Sequence, residues 1–135
     1  MANIINVTIA STNPPLLAVN DAGGQNNVNQ SPNPQTIKWQ LTGNAAQAAF
    51  LPMTSNPPGF SWITKPSPQQ PNGPFGAPVL GANGNSLTIT DDHSGSTTNG
   101  SWIYMLRAML DGVIYTTTAS TGIGAGVDNP IIINR

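Results

Sequence analysis

At 135 residues and 14.0 kDa the chain has the size of one domain. Lys and Arg number four and Asp five, there is one His, and Glu and Cys are absent, which leaves a formal charge of −1. This inventory excludes a basic stripe for nucleic acid, a disulfide framework or a thiolate metal site, and most of the groups from which acid–base and covalent catalysis are built. The expectation is a non-enzymatic domain that needs no cofactor.

Ile5, Val7 and Ile9 alternate with Asn6 and Thr8, the pattern of a half-buried strand. Asn13-Pro14-Pro15 stops it, because proline cannot donate to a ladder and holds its predecessor extended. Leu16 to Val19 reads as a short continuation on the other sheet edge, and the Asn-, Gly- and Gln-rich residues 20–35 as a loop. Thr36 to Thr42 is a strand with Ile37, Trp39 and Leu41 on one face. Asn44 to Ala49 tolerates one helical turn, or entry to a strand at Ala48 to Leu51. Pro52 to Pro78 is a long proline-rich loop carrying the apolar island Phe60-Ser61-Trp62-Ile63, read as a short edge strand, with Phe75 packed on the core.

Ser86 to Thr90 is a strand with Leu87 and Ile89 inward, and Asp91 to Gly100 is polar turn chemistry. Trp102 to Leu110, Asp111-Gly112 and Val113 to Thr118 form the clearest local signal. Asp-Gly between two alternating runs specifies a type I′ hairpin, since both central residues need positive φ. In that register Leu110 opposes Val113, Ala108 opposes Tyr115 and Leu106 opposes Thr117. Gly122 to Gly126 is read as an inter-strand loop, and Ile131 to Ile133 as the last strand. About seven to eight short strands with turn signals between them predict an all-β fold, a single antiparallel sandwich over 1–135, with a small closed barrel as the alternative.

Trp39 on an early core strand, Trp102 and Tyr104 entering a late strand after a glycine turn, and the hairpin that follows together resemble the immunoglobulin-like β-sandwich superfold. The resemblance implies an antiparallel sandwich in which Trp102 or Tyr104 anchors a corner. The cysteine pair of antibody domains is missing. The ending Asp128-Asn129-Pro130-Ile131-Ile132-Ile133-Asn134, after Asp91-Asp92-His93-Ser94-Gly95 and Gly100-Ser101-Trp102-Ile103-Tyr104, resembles small uncharacterised bacterial proteins that close on an Asp-Pro-x-Ile-x-Asn-like strand. Here Asn129 stands between the Asp and the Pro, a departure from that pattern. This second resemblance covers about the last fifty residues and implies fold rather than activity.

Asp91-Asp92-His93 is the one cluster of ionisable residues. A calcium loop would want more acids, including a bidentate Glu that this chain lacks, so the cluster reads as turn capping. His93 with Ser94, Ser96 or Ser101 has triad composition without a nucleophile elbow. Gly122-Ile123-Gly124-Ala125-Gly126 lacks the strand–helix setting of a phosphate loop. Phe60, Trp62 and Phe75, set among Asn56, Gln69, Gln70 and Asn72, combine aromatic faces with planar amides as sugar sites do, against the alternative that they cap the core. They are the candidate ligand-binding residues.

Outward strand positions carry Thr, Asn and Gln where charged guards against edge pairing are common. The expected function is therefore a structural or protein-interaction module that self-associates as a homo-oligomer. A carbohydrate-binding module is the alternative, and a phage or virion accessory protein a third reading. The start of the chain lacks a basic segment followed by an apolar run, and no stretch approaches a membrane span. The default expectation is cytoplasmic, with leaderless export or a virion compatible with the same residues. With few titrating groups and none needing burial, stability is expected to be flat from about pH 5 to 9.

Overall fold

A computed structural model describes residues 2–13, 15–20, 25–64, 75–117 and 130–135. The described residues form eleven strands and two short 3-10 turns. The strands are β1 (Ala2–Thr12), β2 (Pro15–Asn20), β3 (Gln25–Val28), β4 (Gln35–Leu41), β5 (Ala49–Phe50), β6 (Phe60–Thr64), β7 (Val79–Leu80), β8 (Ser86–Asp91), β9 (Gly100–Leu110), β10 (Val113–Thr116) and β11 (Ile131–Asn134). No helix among the described residues is long and apolar enough to cross a membrane.

The all-β expectation holds. Ile5, Val7, Ile37, Trp39, Leu41, Leu87 and Ile89 are buried, each on the face its alternation assigned. On β9 the buried set is Trp102, Tyr104, Leu106 and Ala108, again one face of a pleated strand. The hairpin forms as read. Asp111 and Gly112 have φ of 52° and 80°, Leu110 pairs with Val113 and Ala108 with Tyr115. Thr117 extends the ladder: its N–H donates to the Leu106 carbonyl at 3.1 Å, and its hydroxyl oxygen accepts the Leu106 N–H at 3.0 Å.

Strand direction departs from expectation. The order β3-β11-β9-β10-β2-β1-β4-β8-β7 describes one continuous sheet, with β5 and β6 on the other edge of β9. It is mixed rather than antiparallel: β1 pairs with β4, β10 with β2 and β11 with β3 in parallel. Period-two alternation reports which face is buried and says nothing about which way a neighbour runs. β3 lies inside the segment read as loop. Its composition is polar, but Val28 is buried and its carbonyl accepts the Arg135 N–H at 2.9 Å. Leu16 to Val19 sits beside β1 as its antiparallel hairpin partner. The expected loop at Gly122 to Gly126, and most of the proline-rich stretch between Thr64 and Phe75, lie outside the described residues.

β9 is the spine. Its first half pairs with β11 on one edge and β6 on the other, and its second half with β10 and β5. The sheet folds back far enough for β4 to face β9 and β6. The Trp39 ring lies 5.1 Å from Tyr104 and 5.4 Å from Phe60, and its Nε1–H donates to Tyr104 Oη at 2.8 Å.

Candidate binding groove and buried polar cluster

β6 is short because Gly59 and Pro58 precede it, yet it positions the candidate aromatic residues. Alternation sends Phe60 and Trp62 to the same side, and Phe75 arrives opposite β8 through a bridge to Asp91. The three rings come together in one ladder. Phe60 meets Trp62 at 4.9 Å edge-on, Trp62 meets Phe75 at 4.8 Å, and Phe75 meets Trp102 at 5.1 Å. Such edge and tilted contacts suit the ring quadrupoles. Phe60 and Phe75 are each 5% exposed and belong to the core, whereas Trp62 is only partly buried. Asn56 is exposed; Gln69, Gln70 and Asn72 lie outside the described residues.

Trp62 borders a groove of about 270 Å³, lined also by Met53, Pro58, Phe60, Ser61, Ala77 and Pro78. Three consecutive residues of β6 touch it, so it runs along the strand edge turned away from β9. Arg107 braces one wall: its Nη1 donates to Pro58 O at 2.7 Å and to Ser61 Oγ at 3.0 Å, and its Nη2 reaches Met105 Sδ at 3.0 Å. No local pattern announces this role, because the acceptors are supplied from almost fifty positions away. The groove is apolar with one hydroxyl and an adjoining guanidinium. It can hold a flat apolar or sugar face, and among the described residues its lining carries no nucleophile–base pair.

The acidic cluster departs from the turn-capping expectation. Asp92 is exposed, but Asp91 and His93 are fully buried. Asp91 belongs to the inward face of β8, in phase with Leu87 and Ile89. That phase is visible in the sequence, although the polar side chain and the turn residues that follow point to the turn. His93 Nε2 lies 2.7 Å from the Arg135 main-chain oxygen, and Nδ1 lies 2.6 Å from Thr98 Oγ1. Thr98 Oγ1 also lies 2.9 Å from Gly95 O, and which group donates along the His93–Thr98 contact follows the tautomer of the ring. Both nitrogens are occupied, and neither by a serine, so the triad is not assembled.

Beside His93, Asn134 is 2% exposed, and its Nδ2 donates to Asp91 Oδ1 and to Thr98 O, both at 3.1 Å. Asp91 Oδ2, Asn134 Oδ1 and Trp102 Nε1 are buried without a hydrogen-bond partner. Burial pushes the Asp91 carboxyl above its ordinary range. The Asn134 hydrogen bond and the His93 charge pull it partly back, and Asp92 adds to the rise. Among the described residues no three His, Asp, Glu or Cys side chains gather to hold a metal.

Comparison of the chain with protein-family models, with curated proteins and with solved structures gives no match.

Proposed function

We propose that the protein is a non-catalytic interaction module that self-associates through the outward face of the β9–β10 hairpin. The observation that carries this is a row of apolar side chains facing solvent. Met109, 40% exposed, pairs with Ile114, 42% exposed, on one side and with Ala49 on the other. Two large outward hydrophobes in register across neighbouring strands are the kind of feature that a contact surface is built on. A second copy is the occupant that this pair favours. The Met109–Ile114 pair is self-complementary, so a two-fold axis beside it sets the same apolar pair of each copy against the other's. The engaged, buried ring of His93 supports a structural rather than a catalytic job for the only imidazole. The Trp39–Tyr104 hydrogen bond between facing strands supports the immunoglobulin-like reading of the layers, in a form that admits parallel pairs.

Size-exclusion chromatography with light scattering tests the proposal. The expected result is a dimer that Met109→Lys together with Ile114→Lys converts to a folded monomer, a loss of at least tenfold in association, since charge is placed in an apolar contact. A wild-type monomer at high concentration overturns it.

A second reading, glycan binding, rests on Trp62 beside the groove with Ser61 Oγ and the Arg107 guanidinium close by. A glycan array is the screen. Trp62→Ala is expected to weaken any hit about tenfold or more, as loss of a stacking face worth about 1–2 kcal/mol. An array with no hit removes this reading and leaves the first untouched.

A further inference from the structure

The Asp91–Asn134 pair has a chemical requirement that no described residue meets with a hydrogen bond. Both protons of Asn134 Nδ2 are committed, one to Asp91 Oδ1 and one to Thr98 O. That fixes the orientation of the amide, because the flipped form would set Oδ1 against the two acceptors. Asn134 Oδ1 therefore needs a donor, and so does Asp91 Oδ2, yet both are buried without one. A buried polar atom left unpaired costs about 1–3 kcal/mol, more when it is charged. One proton placed on Asp91 Oδ2 turns an ionised carboxylate into a donor and supplies the amide oxygen with a hydrogen bond.

We propose that Asp91 and Asn134 form a buried proton-binding site, a neutral acid–amide pair in which Asp91 Oδ1 accepts from Asn134 Nδ2 and the Asp91 Oδ2 hydroxyl supplies the donor that Asn134 Oδ1 lacks. The pair joins the end of β8 to β11 across 43 positions of sequence. The charged or titratable groups that act on it are His93, which favours the ionised form, and Asp92, which opposes it. Desolvation is the largest influence and favours the neutral form. This proposal is independent of the hairpin and groove readings.

The proton has a consequence for stability. Near the ordinary carboxylate value of 3.8 the unfolded chain begins to release its Asp91 proton, while the folded chain keeps it. Above that pH the native state binds more protons than the unfolded state, so this group makes stability fall as pH rises, until the native carboxyl itself ionises. The flat profile expected from an unburied set of charges does not apply here. Asp91→Asn keeps the acceptor and supplies an Nδ2–H in place of the hydroxyl, so it reproduces the neutral pair at every pH.

Carbon-13 NMR of the wild-type protein labelled at the Asp carboxyl carbon reads the site directly, and five Asp with no Glu keep the spectrum sparse. As pH rises from acid to neutral, one of the five resonances is expected to hold the un-ionised position after the other four have shifted, and it is absent from Asp91→Asn. Thermal melts should show a wild-type Tm that declines from acid to neutral pH relative to Asp91→Asn, with the gap widening as pH rises. If Asp91→Asn does not fold, the wild-type resonance still decides. Five resonances that shift together overturn the proposal, whether the cause is a buried water bridging Trp102 Nε1 to an ionised Asp91 or a bound cation. A Tm gap independent of pH overturns it as well.

Discussion

Trp39→Ala is expected to lower stability by about 3–5 kcal/mol. Trp39 is fully buried, and its ring bridges the two facing layers through Phe60 and Tyr104. Truncation removes the apolar contact area and leaves a cavity that three strands must collapse into. It also withdraws the 2.8 Å hydrogen bond that the indole gives Tyr104 Oη. Tyr104→Phe separates these contributions. It keeps the ring and strands the buried indole N–H, for an expected loss of about 1–3 kcal/mol. Urea unfolding of both variants checks the pair. An Ala variant within about 1 kcal/mol of wild type would mean that Trp39 does not join the layers.

Gly59→Ala is the second large effect, expected at the upper end of about 1–3 kcal/mol or beyond. Gly59 is buried where the chain returns to β9 after β5. Its carbonyl accepts the Arg107 N–H at 2.9 Å, while Leu51 N–H donates to Arg107 O at 3.1 Å. Residues 51 and 59 thus lie against the same edge of β9, back to back. A Cβ on Gly59 would overlap the Leu51 carbonyl oxygen and press on its nitrogen at 3.0 Å. Because the obstacle is backbone, no rotamer relieves it, and relief must come from the two hydrogen bonds to Arg107. Gly95→Ala is the control. Its φ of −163° is open to any residue, and nothing lies within 4 Å of the added carbon. Chemical denaturation should place the control within about 0.5 kcal/mol of wild type. Because Pro58 and Phe60 flank Gly59 and line the groove, Gly59→Ala is also expected to distort that wall.

Different parts of the molecule were legible to different degrees. The candidate aromatics Phe60, Trp62 and Phe75 were identifiable by composition, and their meeting in one ladder agrees with both readings considered for them. The buried Phe60 and Phe75 serve the core, while the half-buried Trp62 borders the groove. Arg107, a lone cation in the middle of a strand, becomes intelligible once Pro58 O and Ser61 Oγ are seen beside it. At Asp91 the local pattern points away from where the fold places the side chain. A carboxylate at the end of a strand commonly caps a turn, and only Asn134, arriving on the far side through β11, makes burial of this one sustainable.

By itself the sequence determined which face of each long strand turns inward and where the β9–β10 hairpin reverses. Both are local properties, carried by a period of two along adjacent residues and by the positive φ that Asp111-Gly112 accommodates. Tertiary structure alone decided the parallel pairings, the recruitment of Gln25–Val28 into a strand, the groove beside β6 and the burial of Asp91 and His93. These rest on contacts such as Trp39 with Tyr104, 65 positions apart, and Asn134 with Asp91, 43 apart. Such contacts form only when distant segments close on one another, and the residues at either end carry no local trace of their partner.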